Sequence, residues 1–282
     1  MLGVYDMRAP IVLLCILILI GSAGSKAADG TGKYDADGRH RVSIETLSVP
    51  SGNGPFTTTA YIPSGRGPFP LVILSSGFLQ KGDAYAPYAR RLASWGIITL
   101  LRDDPSILSD LGQKVDLRES YPDSIDKPTL TDQINATGMT NRIASDLLYE
   151  FDWLVGAANK DPASSLYRKV DGDHIGLAGH SYGAQAALLA GEHLHKRIKG
   201  VFGLDPVDLP VGPQARDNLA SIGVPVVFLG ETTDSSFASC APSWSNYQML
   251  YRYAASGAVM ITAVGADHTM FEDPANCSLC WL

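Results

Sequence analysis

The stretch of sequence that decides the fold is His174-Ile-Gly-Leu-Ala-Gly-His-Ser-Tyr-Gly-Ala-Gln-Ala-Ala-Leu-Leu-Ala190. It begins with a short apolar run, passes through Gly179-His-Ser-Tyr-Gly183, and continues into an alanine-rich segment typical of a helix. Glycines on both sides of a serine permit a turn that is too sharp for larger side chains. A serine at such a turn lies at a helix amino terminus, where developing negative charge is stabilised. We therefore predict a strand, a tight turn and a helix, with Ser181 as a candidate nucleophile.

Apolar runs of strand length alternate with helical patterns on both sides of this stretch. The runs cover residues 71–74, 96–101, 174–178, 201–204, 224–229 and 259–264, and the helical patterns cover 84–95, 141–155, 182–195 and 245–255. Continuous apolar runs are typical of strands buried on both faces. The earlier segments 41–49 and 57–62 are predicted to be antiparallel strands at the edge. This alternation predicts an α/β fold with a mostly parallel central sheet and helices on both faces.

The first 40 residues are expected to precede the folded domain. Arg8, the apolar run Ile11–Ile20 and the small residues that follow predict a signal peptide over 1–27, with an uncleaved anchor as the alternative. Residues 28–40 are polar and predict a flexible leader, so the domain spans 41–282. Ten apolar residues are too few to span a bilayer. We expect a secreted or periplasmic protein without a stable membrane span.

Composition narrows the possible partners. The net charge is −7 and no basic stripe is present, which argues against binding to nucleic acid.

Export would allow a disulfide bond between Cys240 and either Cys277 or Cys280. Residues 103–140 contain prolines and little periodicity, and they are either a disordered insertion or a cap over a site.

A serine nucleophile needs a base and an acid that orients the base. His268 follows the last predicted strand and is the candidate base, whereas His193 and His195 lie at the far end of the serine's own helix. Asp205 and Asp234 each follow a predicted strand, and either could hold the imidazole. Position in the sequence leaves both aspartates open.

The negative charge that forms on an attacked carbonyl oxygen needs two backbone donors. One candidate is the amide of Tyr182, the residue after the serine. The other is the amide of Phe78, in the loop Ser75-Ser-Gly-Phe78 after an earlier strand, where Gly77 permits the backbone to turn.

These residues resemble the chlorophyllase-type α/β-hydrolases, which are neighbours of the platelet-activating-factor acetylhydrolases. The resemblance is carried by Ser76-Gly-Phe-Leu79, Asp152-Trp-Leu154, Gly179-His-Ser-Tyr-Gly183, Gly203-Leu-Asp-Pro-Val-Asp208, Cys240-Ala-Pro242 and His268-Thr-Met-Phe271. It implies the α/β-hydrolase fold, a cofactor-independent serine esterase acting on a small-molecule or lipid-like ester, and Asp205 as the acid. Ser76 and Tyr182-Gly-Ala184 depart from the usual family residues beside the expected ester pocket.

A second resemblance is to secreted cutinase-like polyester hydrolases and lipases. It is carried by Gly67-Pro-Phe-Pro-Leu-Val-Ile-Leu-Ser-Ser-Gly-Phe78 and implies Asp234 as the acid. The alternative from another class is a non-catalytic binding protein with the same fold.

Overall fold

The structure is a computed structural model that describes residue 34 and residues 36–77, 80–103, 138–208, 213–234 and 240–273. Several features predicted from the sequence lie outside the described residues. These are the signal peptide (1–27), residues 28–33 and 35 of the leader, most of the possible cap (104–137), and the candidate disulfide partners Cys277 and Cys280. The interpretations of these segments therefore stay predictions.

Within the described ranges, the strands form one eight-stranded sheet. The strands are β1 (Val42–Val49), β2 (Phe56–Pro63), β3 (Phe69–Ser75), β4 (Ile98–Asp103), β5 (Val170–His180), β6 (Gly200–Leu204), β7 (Val226–Glu231) and β8 (Val259–Ala263). Their order in the sheet is β1-β2-β4-β3-β5-β6-β7-β8. The first two pairings, β1 with β2 and β2 with β4, are antiparallel, and the pairings from β4 to β8 are parallel. The predicted mostly parallel sheet with antiparallel edge strands is confirmed.

Helices cover both faces of the sheet, as predicted. They are α1 (Ala86–Ser94), α2 (Met139–Trp153), α3 (Ser181–Leu194) and α4 (Tyr247–Tyr253). Side chains of α1 pack into the apolar core on one face, and side chains of α2, α3 and α4 pack into the core on the other. Single turns of helix cover Gly82–Tyr85, Leu154–Ala158, Ala215–Asp217, Leu219–Ser221 and His268–Phe271.

The strand β3 shows how the sheet divides the core. Its residues Leu71 and Ile73 contribute to one apolar cluster, and Val72 and Leu74 contribute to the other. Successive side chains of a strand point to opposite faces, so a strand covered on both sides is apolar throughout. Burial of each such side chain contributes about 1.5–3 kcal/mol to folding.

The strand β5 is longer than the apolar run that predicted it. Val170 pairs with Phe69 at its beginning, and His180 pairs with Leu204 at its end. Residues 171–174 are polar and lie at an irregularity in the pairing with β3, so hydrophobicity could not reveal that the strand begins at Val170. The extension at the other end is the functionally important one, because it carries the strand directly to Ser181.

A buried ion pair connects the end of β4 to α2. Arg102 Nη2 lies 2.5 Å from Asp146 Oδ2, and the two side chains are 5% and 1% exposed. Ser51, in the turn between β1 and β2, donates a hydrogen bond from its hydroxyl to the same carboxylate. Removing one partner of a buried ion pair costs about 3–5 kcal/mol, because the other charge is left uncompensated. This contact fixes the chain just before and just after residues 104–137.

The described end of the predicted leader contacts the domain. The amide of Gly38 donates to the Ser94 hydroxyl, and the Tyr34 ring packs edge-on against Trp95 at 4.7 Å between centroids.

Within the described ranges, the structure contains no helix with the length and apolar character that a bilayer crossing requires.

Candidate active site

The turn from β5 into α3 holds Ser181 in an unusual backbone conformation. His180 has extended backbone angles, whereas Ser181 has a φ of 54° and begins the helix. A positive φ is uncommon for a residue with a side chain and costs about 1–3 kcal/mol. The strand and the helix on either side impose this conformation. The result is a sharp strand-to-helix turn with the serine at its apex, as the sequence predicts.

Two glycines make this turn possible through close backbone contact. A Cβ atom on Gly179 would overlap the carbonyl group of Gly183, which follows four residues later. A Cβ atom on Gly183 would overlap the carbonyl oxygens of Ser75 and Ser76 in the loop after β3. The absence of side chains therefore brings the start of α3 against that loop.

The structure brings Ser181 and His268 into hydrogen-bond contact. The distance from Ser181 Oγ to His268 Nε2 is 2.8 Å, although the residues are 87 positions apart in the chain. His268 begins the helical turn after β8, and the Asp267 side chain caps that turn by accepting from the amides of Thr269 and Met270. The cap fixes the backbone from which the imidazole extends.

Asp205 is the acid that contacts the imidazole. Its Oδ2 lies 2.6 Å from His268 Nδ1, and the aspartate is fully buried directly after β6. An ionised carboxylate can only accept, so Nδ1 of His268 carries a proton and donates to it. In the neutral imidazole this leaves Nε2 unprotonated and able to accept the hydroxyl proton of Ser181.

Asp234 holds the same histidine at a different place. Its Oδ2 accepts a hydrogen bond from the backbone amide of His268 at 3.3 Å. The amide of Asp234 in turn donates to the Glu231 carboxylate, which is buried at the end of β7. Of the two aspartates that the sequence left open, Asp205 binds the ring and Asp234 binds the main chain.

Burial and charge act in opposite directions on the pKa of His268. Burial by itself lowers this pKa, because it disfavours the imidazolium. The hydrogen bond to Asp205 and the negative charges of Asp205, Glu272 and Asp234 together outweigh burial, so the pKa of His268 is raised above its ordinary value. The Asp205 carboxylate, at Nδ1, therefore stabilises the imidazolium that would form if Nε2 accepted the proton of Ser181.

The loop after Asp205 is held by a second buried carboxylate. Asp208 accepts from Arg216 Nε at 2.6 Å and from the Ala215 amide at 2.7 Å. The Val207 amide also donates to the carbonyl oxygen of Ser181 at 3.3 Å. The Asp208 contacts tie the loop that carries Asp205 to the helical turn Ala215–Asp217, and the Val207 contact ties it to the start of α3.

The structure describes one of the two predicted backbone donors, Tyr182, and the donor role of both residues stays a prediction. Tyr182 is the second residue of α3, so its amide lies in the first turn of the helix, directly after Ser181. Its side chain is buried against α2, where the Tyr182 hydroxyl contacts the Thr140 hydroxyl. Phe78 lies outside the described residues, so its role as the second donor stays a prediction.

Sequence reasoning did not find three buried polar side chains around this site. His180, Tyr85 and Glu231 are each at most 2% exposed and lie beside the Ser181–His268–Asp205 arrangement. His180 stands inside the serine motif, which was the one available signal. For Tyr85 and Glu231 the sequence shows nothing that separates them from ordinary residues at the ends of elements.

The sequence matches no protein-family model and no curated protein. Among the residues that the structure describes, no group of three or more His, Cys, Asp or Glu side chains is arranged to hold a metal ion. The interpretation of the site therefore depends on its own geometry.

The first prediction concerns the close packing of the turn. We expect Gly183→Ala to destabilise the protein by about 1–3 kcal/mol, because its methyl group would force the loop after β3 away from α3. Thermal unfolding would show this as a lower Tm. Gly156→Ala is the matched control, since its Cβ would meet nothing within 4 Å. Equal Tm values for the two variants would contradict the packing argument.

The second prediction concerns the charge that acts on His268. Replacing Asp205 by Asn removes the negative charge at Nδ1, so the pKa of His268 should fall below its wild-type value. Asp234→Asn should lower it less, because Asp234 contributes a smaller part of the raised pKa. A pH titration of the His268 ring by NMR measures both changes. If Asp234→Asn lowered the pKa of His268 more than Asp205→Asn does, the assignment of Asp205 as the main charge acting on the ring would be contradicted.

Proposed function

We propose that this protein is a serine carboxylic-ester hydrolase with the α/β-hydrolase fold and chlorophyllase-like character. The observation that carries the proposal is the hydrogen-bond chain from Asp205 through His268 to Ser181, at the apex of a strand-to-helix turn. In this proposal Ser181 is the nucleophile, His268 is the general base and Asp205 orients the base.

The order of these residues along the chain supports the assignment. Serine hydrolases with the α/β-hydrolase fold carry serine, acid and histidine in that order, with the serine on a sharp turn between a strand and a helix. Here Ser181 follows β5, Asp205 follows β6 and His268 follows β8. All three strands run parallel, so their carboxyl ends lie on the same edge of the sheet.

The first half of the reaction forms an acyl-enzyme. Oγ of Ser181 attacks the ester carbonyl carbon while its proton moves to Nε2 of His268. The carbonyl oxygen becomes an oxyanion, for which the Tyr182 amide and the predicted Phe78 amide are the donors. The bond to the alcohol then breaks, and the alcohol leaves with the proton from His268.

The second half regenerates the serine. His268 takes a proton from a water molecule, and the resulting hydroxide attacks the acyl carbon. Collapse of the second oxyanion breaks the bond to Ser181 Oγ, which recovers a proton from His268 and releases the carboxylic acid. Nε2 of His268 takes part in every proton transfer, and the transfers from and to Ser181 use the 2.8 Å contact between these two residues. The sequence of steps requires no metal or organic cofactor.

The choice of acid bears on the class of substrate. Contact of Asp205 with the imidazole supports the chlorophyllase-type resemblance, whereas the cutinase-like resemblance implies Asp234 in that place. We therefore propose an ester with an apolar part, of small-molecule or lipid-like size, as the substrate. The predicted signal peptide places the activity outside the cytoplasm in this proposal.

The third prediction tests the nucleophile. Ser181→Ala should lower kcat for a short p-nitrophenyl ester by about 10⁴-fold or more, because the proposed acyl-enzyme forms on Ser181 Oγ. A fluorophosphonate probe should add to the wild-type protein and not to the variant, as intact-mass measurement would show. Ser221→Ala is the control, because that serine is exposed in the helical turn Leu219–Ser221, which precedes β7.

Two results would oppose the proposed function. Equal hydrolysis by wild type and Ser181→Ala would exclude Ser181 as the nucleophile. No hydrolysis and no labelling by the wild type would favour the alternative, a non-catalytic binding protein with this fold.

The fourth prediction separates the two aspartates by turnover. Asp205→Asn should lower kcat by about 10⁴-fold, because the amide does not stabilise the imidazolium and no longer selects the correct tautomer. Asp234→Asn should lower kcat by less than about tenfold, because Asp234 contacts the main chain of His268. The opposite ranking would assign the acid to Asp234 and would support the cutinase-like resemblance.

A further inference from the structure

A chain of buried hydrogen bonds lies behind the proposed catalytic residues. The amide of Gly77 donates to the hydroxyl of Tyr85 at 3.1 Å, and that hydroxyl lies 2.7 Å from Nδ1 of His180. On the other side of the ring, Nε2 of His180 lies 3.2 Å from the carbonyl oxygen of His268. Tyr85 and His180 are both 0% exposed. The chain therefore connects the loop after β3 to the proposed base without access to water.

The chemistry of the end groups gives this chain one direction. A backbone carbonyl can only accept, so Nε2 of His180 carries a proton and donates to His268. In a neutral imidazole Nδ1 then carries none, and it accepts the hydroxyl proton of Tyr85. The Tyr85 oxygen keeps its lone pairs for the Gly77 amide. Every donor in the chain meets an acceptor.

The charges around His180 favour this neutral form. Burial, and the positive charge of His268 when its ring is protonated, hold the pKa of His180 well below its ordinary value. The carboxylate of Glu272 is 3.4 Å from Nδ1, which is farther than the Tyr85 hydroxyl. Burial and the negative charge of Glu272 raise the pKa of Tyr85, so the phenol keeps its proton.

The His180 ring also supports the proposed base through packing. The rings of His180 and His268 have centroids 4.7 Å apart and are inclined by 34°. His268 is thus held by Asp205 at the ring edge, by Asp234 at its amide, and by His180 at its carbonyl and ring face.

We propose that Tyr85 and His180 are positioning residues for the reaction, which set the main chain of His268 relative to the loop after β3. The inference rests on the proposed function, because it assigns the base to His268. Gly77 immediately precedes the predicted oxyanion donor Phe78 in the sequence. The same chain of hydrogen bonds therefore couples the placement of the base to the placement of that loop.

Positioning of this kind acts on the transition state more than on substrate binding. Displacement of a reacting group by about 1 Å can reduce the rate about 100-fold. The ester itself does not contact Tyr85 or His180 in this proposal, since both are fully buried behind the site. Loss of the chain should therefore lower kcat and leave KM nearly unchanged.

The fifth prediction uses Tyr85→Phe, which removes one hydroxyl and keeps the ring. We expect kcat for a p-nitrophenyl ester to fall about 10- to 100-fold with KM within about twofold of wild type. Tyr61→Phe is the matched control, because Tyr61 belongs to the same apolar cluster and is 4% exposed. It should retain wild-type kcat. Wild-type kcat in Tyr85→Phe, or a decrease no larger than in Tyr61→Phe, would overturn the proposal.

Substitutions of His180 test the two halves of the chain separately. A Gln side chain can place its NH₂ group near the Nε2 position and donate to the His268 carbonyl, whereas an Asn side chain can place its oxygen near Nδ1 and accept from Tyr85. We expect His180→Ala to have the lowest kcat, and we expect His180→Gln and His180→Asn each to recover part of it. Equal kcat in all three variants would overturn the proposal, because neither bond would then matter.

Failure of this inference is distinguishable from failure of the proposed function. Thermal unfolding of each variant establishes the folded fraction, so that kcat refers to folded protein. If the wild type shows no Ser181-dependent hydrolysis, the proposed function fails and the positioning role fails with it. If the wild type hydrolyses the ester and the Tyr85 and His180 variants match it, only the positioning role is excluded.

Discussion

The direction of the strands is the constraint on which the site depends. Parallel strands β5, β6, β7 and β8 end on one edge of the sheet, and the chain leaves each of them on that edge. Residues that follow different strands therefore meet although they are far apart in sequence, as His268 does with Ser181 and Asp205 at separations of 87 and 63 residues. The apolar core on both faces of the sheet keeps these strand ends in place. The precision of the site thus comes from the packing of the whole domain.

Three acidic side chains are buried in or beside the site. Asp205, Glu231 and Glu272 are each at most 2% exposed, and burial of a carboxylate is costly unless hydrogen bonds replace the lost water. The Asp205 carboxylate accepts a hydrogen bond from the His268 ring, and the Glu231 carboxylate accepts hydrogen bonds from the amides of Thr233 and Asp234. Groups that are bound in this way have few alternative positions, because each displacement would leave a buried charge without its donor. Rigidity of the site follows from the cost of breaking these bonds.

The sequence predicted the α/β class, the antiparallel edge strands and the position of Ser181, since each depends on local patterns. Apolar periodicity identifies buried strands, and the glycines around Ser181 identify a turn that needs close backbone contact. The choice between Asp205 and Asp234 was harder, because β6 and β7 are neighbours and their ends are separated by only about 4.8 Å. The resemblance to chlorophyllase-type enzymes favoured Asp205, and that aspartate contacts the imidazole. The contact between Tyr85 and His180 could not be predicted from the sequence, because the two residues are 95 positions apart and no local pattern connects them.

The ion pair between Arg102 and Asp146 has an energetic consequence for the chain between them. It holds the two flanking elements together whatever path the intervening residues take. The entropic cost of closing such a loop grows only with the logarithm of its length, so a doubling of the length adds about 0.6 kcal/mol. The chain-entropy part of the free energy of unfolding therefore depends only weakly on how many residues separate Arg102 from Asp146.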